Sequence, residues 1–218
     1  IRESKRGQIS TIGTYDSSQE TQFERNKFFE KIDLDHTKLT AVLMTGCWPD
    51  FPNIYPHTFY VDYVDWFLKT LDIIKEIENV NWIIKPHPAE FKYGSKTKAH
   101  YYLKNIKRKN IAIWPKKVSS SCLLSVADVL ITSHGSAGFE YTALGKPVII
   151  TKKTNYADWG FANFCSNYES YKSLLSNLDK IQKPNSESKT LACLYIASSI
   201  CNGLDNNYLF EMGLHSHK

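Results

Sequence analysis

From residue 39 onward, short β-rich apolar runs alternate with longer stretches in which apolar residues recur every three or four positions. The runs predict strands at 39–45, 80–84, 111–114, 129–132 and 147–151. Between them, helices are expected over about 58–77, 96–106, 121–126 and 136–144, and two more, about 168–181 and 188–200, close the chain. Strands separated by helices imply an α/β fold with a parallel, doubly wound, Rossmann-like sheet. In the first long helix, Val64, Phe67, Leu68, Leu71, Ile74 and Ile77 share one face, and Asp65, Lys69, Asp72, Lys75 and Glu76 fall mostly on the other. Phe59, Tyr60, Tyr63 and Trp66 at its start read as core or interdomain packing rather than as the lining of a sugar pocket.

Two strands run directly into polar residues, and in open α/β sheets ligands bind at the carboxyl ends of strands. In NWIIKPHP (81–88), the prolines cannot continue a central strand, so His87 is held on a stiffened turn beside Lys85. In DVLITSHGSAGFEYTALGKPVII (128–150), an apolar run leads through Ser133, His134, Gly135 and Ser136 into a helix that ends near Gly145. Gly135 permits close backbone approach, Ser136 is the expected helix cap, and the exposed amides at a helix start favour an anion such as phosphate. Glu140 lies one helical turn after Ser136 on the same face. The loop 45–57, TGCWPDFPNIYPH, is longer than usual for a strand-to-helix connection, and such loops carry function. Thr45 and Gly46 are expected to meet a nucleotide through their backbone, and Asp50 is the carboxylate best placed to face its sugar, although a simple Asx turn accounts for it equally well.

KPHP after a strand, followed by a second strand and TSHGSAGFEYTALGKPV, resembles the C-terminal, donor-binding half of GT-B glycosyltransferases over roughly residues 39–161. The resemblance is to the bacterial capsule and lipopolysaccharide group that includes the Kdo transferases and, more distantly, the HP-motif sialyl- and polysialyltransferases. It implies a CMP-activated acidic sugar, CMP-Kdo or a relative, as donor. It also implies a surface-polysaccharide or lipid-linked glycan as acceptor, and an N-terminal acceptor-binding domain outside this chain. On this reading Lys85, His87 and the 133–136 turn hold the phosphate, His134 ranks behind His87, and Glu140 holds the ribose hydroxyls. Asp50 is the nucleophile candidate for a retaining double displacement, with Asp62, Asp65 and Asp158 as weaker ones. No resident cofactor or metal is expected: DXD is absent and Asp33-Leu34-Asp35 precedes the first strand. UDP-sugar epimerases share the architecture, CDP-glycerol glycerophosphotransferases share an HP turn, and a non-catalytic nucleotide-binding module is a further alternative.

Composition narrows the setting. The 218 residues are 42% hydrophobic and 13% aromatic, enough for a substantial core. The division expected is a connector with a short helix (1–37), opened by the capping box SSQE (17–20) and carrying Phe23, Phe28 and Phe29. A nucleotide-sugar-binding domain (38–165) follows, with C-terminal helices (166–218) packed on it. The chain begins at isoleucine and reads as a piece of a longer protein. A net charge of +5 and a pI near 8.8 suit an anionic donor and peripheral contact with a membrane, and with basic residues spread along the chain they do not call for nucleic acid. Five cysteines without CxxC spacing (Cys47, Cys122, Cys165, Cys193, Cys201) read as reduced thiols of a cytoplasmic protein, at the inner face of the membrane if attached to it.

Overall fold

A computed structural model describes residues 25–46, 48, 59–87, 90 and 98–211, with side chains to 199. Six strands, β1 (Leu39–Met44), β2 (Val80–Lys85), β3 (Ile111–Ile113), β4 (Val129–Thr132), β5 (Val148–Ile150) and β6 (Asn163–Phe164), form one parallel sheet in the order β3-β2-β1-β4-β5-β6. The expected doubly wound α/β fold is what forms. Strand β6 was absent from the sequence expectation: two residues are too short to leave a period.

The strands bury both faces, which is why they read as unbroken apolar runs. Ala41, Leu43, Trp82, Ile84, Val129 and Ile131 face one layer, with α2 (Tyr63–Ile74) and α6 (Tyr168–Ser176). Val42, Ile83, Leu130, Val148 and Ile150 face the other, with α1 (Arg25–Ile32), α4 (Leu123–Val126), α5 (Ala137–Ala143) and α7 (Ser186–Glu211). Successive strand residues alternate between layers, as a two-residue period requires. Helix α3 (Ala99–Leu103) buries Ala99 in the first layer. The helical part of the expected connector is built into the domain, because Phe28 and Phe29 of α1 are fully buried and Phe28 packs on Trp114 at 4.7 Å between ring centroids. The capping box at 17–20 and Phe23 lie outside the described residues.

Helix α2 begins later than expected because Asp62 caps it, its carboxylate accepting the Asp65 amide at 2.8 Å. Its buried face also differs: Trp66, Thr70 and Ile73 are inside and Leu68 is 39% exposed. Helix α7 runs eleven residues past the expected end at 200. Among the described residues, Cys122, Cys165 and Cys193 are free thiols, and no helix is long and apolar enough to cross a membrane.

Candidate functional site

The sheet order reverses between β1 and β4, so the crevice beyond their carboxyl ends is the position a ligand takes in this architecture. Met44 at the end of β1 registers with Lys85 of β2 on one side and Thr132 of β4 on the other. Lys85-Pro86-His87 and Ser133-His134-Gly135 therefore leave the same edge of the sheet, two strand spacings or about 10 Å apart. That separation suits a diphosphate between them.

The β2 end is fixed by hydrogen bonds from its backbone. The Thr45 amide donates to the Lys85 carbonyl at 3.0 Å, and the Thr45 hydroxyl accepts the His87 amide at 3.2 Å. Thr45 thus braces the histidine turn, and its own amide is already engaged. Gly46 packs closely under Tyr63, and a Cβ there would lie 3.3 Å from the ring, a tight contact that the tyrosine would have to relieve by shifting. Lys85 is only 7% exposed and makes no ion pair among the described residues. Its ammonium sits 5.8 Å from the Trp114 ring centroid, and burial pulls its pKa down to about 8.

The β4 end is held from three directions. The Ser133 carbonyl accepts the amides of Thr151 and Lys152 at 3.1 and 2.9 Å, and the Ser133 hydroxyl bonds the Tyr60 hydroxyl at 2.7 Å. Thr132 donates its hydroxyl to the His134 carbonyl at 2.9 Å. Gly135 adopts φ +108°, a conformation open to glycine, and its carbonyl accepts the Tyr156 hydroxyl at 2.6 Å. Tyr156 also dictates Gly138, where a Cβ would meet the tyrosine oxygen at 2.1 Å. These contacts aim the start of α5 into the crevice, and the amides of Ser136 and Ala137 have no acceptor among the described residues. Ser136 stands at the N-cap but its side chain accepts no capping bond. Its φ −62° and ψ −25° are already helical, and its hydroxyl instead lies close enough to Glu140 to favour the ionised carboxylate.

Two groups in this crevice are electrostatically unusual. His134 stacks on Tyr63, whose hydroxyl reaches Nε2 at 2.7 Å and contacts Nδ1. Burial, and then the charge of Lys152, lower its pKa to about 4, so the ring is neutral at pH 7. Glu140 has a buried Oε1 with no hydrogen-bond partner, and burial raises its pKa against the Ser136 hydroxyl. An orphaned acceptor of this kind fits the donating hydroxyls of a ribose.

Of the expected residues, the structure gathers Thr45, Gly46, Lys85, His87, Ser133, His134, Gly135, Ser136 and Glu140 at one edge. Asp50 lies outside the described residues. The weaker nucleophile candidates have structural partners: Asp62 caps α2, Asp65 pairs with Lys69 at 2.7 Å, and Asp158 pairs with Lys153 at 3.3 Å. The sequence reading missed Lys152, 2% exposed, with its ammonium 5.5 Å from the Tyr63 ring centroid and its pKa lowered by burial. The signal was present, since VIITK ends a strand on a lysine as NWIIK does. No group of three or more His, Cys, Asp or Glu side chains suited to a metal occurs among the described residues.

Fold and strand-end geometry define a Rossmann-like α/β domain with a polar crevice at the carboxyl edge of its sheet. Residues 23–197 match the family described as CDP-Glycerol:Poly(glycerophosphate) glycerophosphotransferase, and the chain belongs to that family. No curated protein matches it. Among solved structures, a histidine-to-asparagine variant of the wall teichoic acid polymerase TagF is similar over 88% of this chain and 48% of its own, at 16% identity and a TM-score of 0.52. KpsC of Thermosulfurimonas dismutans, described as a β-Kdo 2,4-transferase, is similar over 73% of this chain and 44% of its own, at 18% identity and a TM-score of 0.45. The UDP-GlcNAc 2-epimerase of Neisseria meningitidis is similar over 77% and 42%, at 15% identity and 0.46. At such identities the likeness concerns the fold alone, and the chain spans about half the length of these proteins.

Proposed function

We propose that the chain is the donor-binding part of a transferase that moves a glycerol phosphate unit from CDP-glycerol to a poly(glycerol phosphate) acceptor. The family match over residues 23–197 carries this reading, and the crevice supports it. In the reaction, a terminal acceptor hydroxyl attacks the phosphorus bearing glycerol. The bond from that phosphorus to the bridging oxygen breaks, and CMP leaves with the oxygen. Lys85 and His87 on one side, and the Ser136 and Ala137 amides on the other, neutralise the charge that grows on the leaving phosphate. Glu140 accepts the ribose hydroxyls, the neutral ring of His134 is held beside the crevice by the Tyr63 hydroxyl, and the proton of the attacking hydroxyl passes to a base among the residues that bind the acceptor. The rest of the machinery, including the acceptor site, is assigned to an N-terminal half.

A second reading keeps the CMP-Kdo donor implied by KPHP and the TSHGSAGFEY turn, with Asp50 as nucleophile. Both donors release CMP, so the same cradle serves either. Calorimetric titration of CDP-glycerol, CMP-Kdo and UDP-GlcNAc separates them. Binding of CDP-glycerol at least about tenfold tighter, or about 1.4 kcal/mol, is the expected result. A preference for CMP-Kdo installs the second reading, and a preference for the UDP sugar removes both.

A further inference from the structure

The segment 98–127 holds Lys98, Lys104, Lys107, Arg108, Lys109, Lys116 and Lys117, seven of the chain's 27 basic residues, and none of its 22 acidic ones. Without it the net charge of +5 would be negative. The basic residues are therefore less evenly spread than the whole-chain composition implies. The fold concentrates them further: β3 is the outermost strand and pairs only with β2. Lys107 and Lys109 are exposed in the turn that leads from α3 into β3, and Lys116 and Lys117 are exposed just beyond its far end. Arg108 is paired with Glu78, whereas Lys104, Lys107, Lys109, Lys116 and Lys117 make no ion pair among the described residues.

Between these cations lies an apolar groove of about 280 Å³, lined by Leu103, Ile106, Ile111, Ala112 and Ile113 with Lys104 at its rim. Tyr101 beside it is 58% exposed with the Lys104 ammonium 5.6 Å from its ring centroid, and Ile113 is 37% exposed. Exposed apolar and tyrosine side chains ringed by uncompensated lysines match the headgroup layer of an anionic bilayer, where the lysines meet lipid phosphates and the apolar groups enter the boundary. We propose that the β3 edge docks on an anionic membrane surface. The contact stays at headgroup depth, because the unpaired backbone groups of an edge strand are not tolerated in hydrocarbon. Lys116 and Lys117 follow the carboxyl end of β3, the end on which the candidate site opens, so docking brings that crevice beside the bilayer. The proposal rests on the surface alone and is independent of the donor's identity.

Co-sedimentation with vesicles of phosphatidylcholine, alone or mixed with phosphatidylglycerol, tests it. The expected result is partition onto the mixed vesicles at least about tenfold stronger than onto the neutral ones, falling as salt is raised. Changing Lys107, Lys109, Lys116 and Lys117 together to glutamine removes most of that gain with circular dichroism and melting unchanged, and Tyr101→Ser weakens the binding that survives high salt. Equal partition onto both vesicle types overturns the proposal, as does undiminished binding by the four-lysine variant. Two further outcomes overturn it: self-association of that variant, which marks lysines that merely guard an edge strand, and binding to inorganic polyphosphate with none to vesicles, which gives the surface to a soluble polyanion.

Discussion

At the amino ends of β1 and β4, Arg25 donates to the carbonyls of Val126 and Ser125 at 2.5 and 3.2 Å, to the Thr40 hydroxyl at 3.2 Å and to the Asp128 carboxylate at 3.0 Å. The same carboxylate accepts the Thr40 amide at 2.8 Å, and Lys146 caps the Ala127 carbonyl at 2.7 Å. At the opposite ends of the same strands and their neighbours, Lys85 is buried without a counter-charge among the described residues and Glu140 keeps an orphaned oxygen. A charge surrounded by partners recovers its desolvation cost within the fold, whereas one left short of partners lowers stability until something outside completes it. The amino edge is thus finished as structure, and the carboxyl edge is left with groups short of partners, as the proposed donor site requires.

The sharpest way to break this contrast is His87→Ala. Thr45 holds the backbone amide of His87, so the turn keeps that anchor when the side chain is removed. Donor turnover is expected to fall by at least about 100-fold, the usual scale for a positioned acid–base or charge-stabilising group, with the melting temperature little changed. A variant with normal turnover takes the histidine out of the site.

Lys85→Met is expected to separate stability from binding. Burial moves the folded-state pKa from 10.5 to about 8. Between those values the unfolded chain holds a proton that the folded chain has released, so stability rises with pH across that window and the full cost is present below it. Removing the charge should therefore stabilise the domain by about 3 kcal/mol at pH 7, from about 2.5 pH units at 1.36 kcal/mol each. The gain should vanish toward pH 10.5, while donor affinity falls tenfold or more. In the unaltered protein, donor binding weakens as pH passes about 8. Denaturant titrations at three pH values with parallel calorimetry check both halves; a destabilised variant would place Lys85 with the structural charges.

The mirror experiment is Arg25→Met. Loss of hydrogen bonds to a charged partner is worth about 1.5–3 kcal/mol, and Asp128 is left with the Thr40 amide. Unfolding free energy should drop by that amount and the donor dissociation constant should stay within about twofold. A large change in donor affinity would show that the two edges are coupled.

The sequence revealed the carboxyl edge far better than the amino edge, and the reason is local. Lys85-Pro86-His87 and Ser133–Ser136 announce themselves because polar and ring-constrained residues interrupt apolar runs that ought to continue. Arg25 and Asp128 are 103 positions apart, and a single charge beside an apolar run has no periodicity from which to read a partner. The α2 register shows a second limit: three- and four-residue spacing selected Leu68 for the core, but the sheet accepts the face carrying Trp66, Thr70 and Ile73. Lys152 was legible by the strand-end rule and was missed because no proline or glycine marks its turn. Tyr63 was read as packing, but it joins neither core layer and instead contacts Gly46, His134 and Lys152, which only the placement of α2 against β4 reveals.

Glu140→Ala is the smallest and most discriminating of these tests. A first-turn acid serving only the helix dipole is worth about 0.3–1 kcal/mol, and its loss would appear as lost stability with CMP affinity unchanged. Burial raises the pKa of this carboxyl, so its ionised form costs the fold free energy at neutral pH, and removing it should leave stability equal or slightly higher. If Oε1 is held for ribose hydroxyls, CMP affinity should fall about five- to tenfold, or about 1–1.4 kcal/mol, and 2′-deoxy-CMP should bind the variant and the unaltered chain more nearly alike. The two accounts move stability and affinity in different directions, so one titration of each variant assigns Glu140 either to the finished part of the fold or to the part a nucleotide completes.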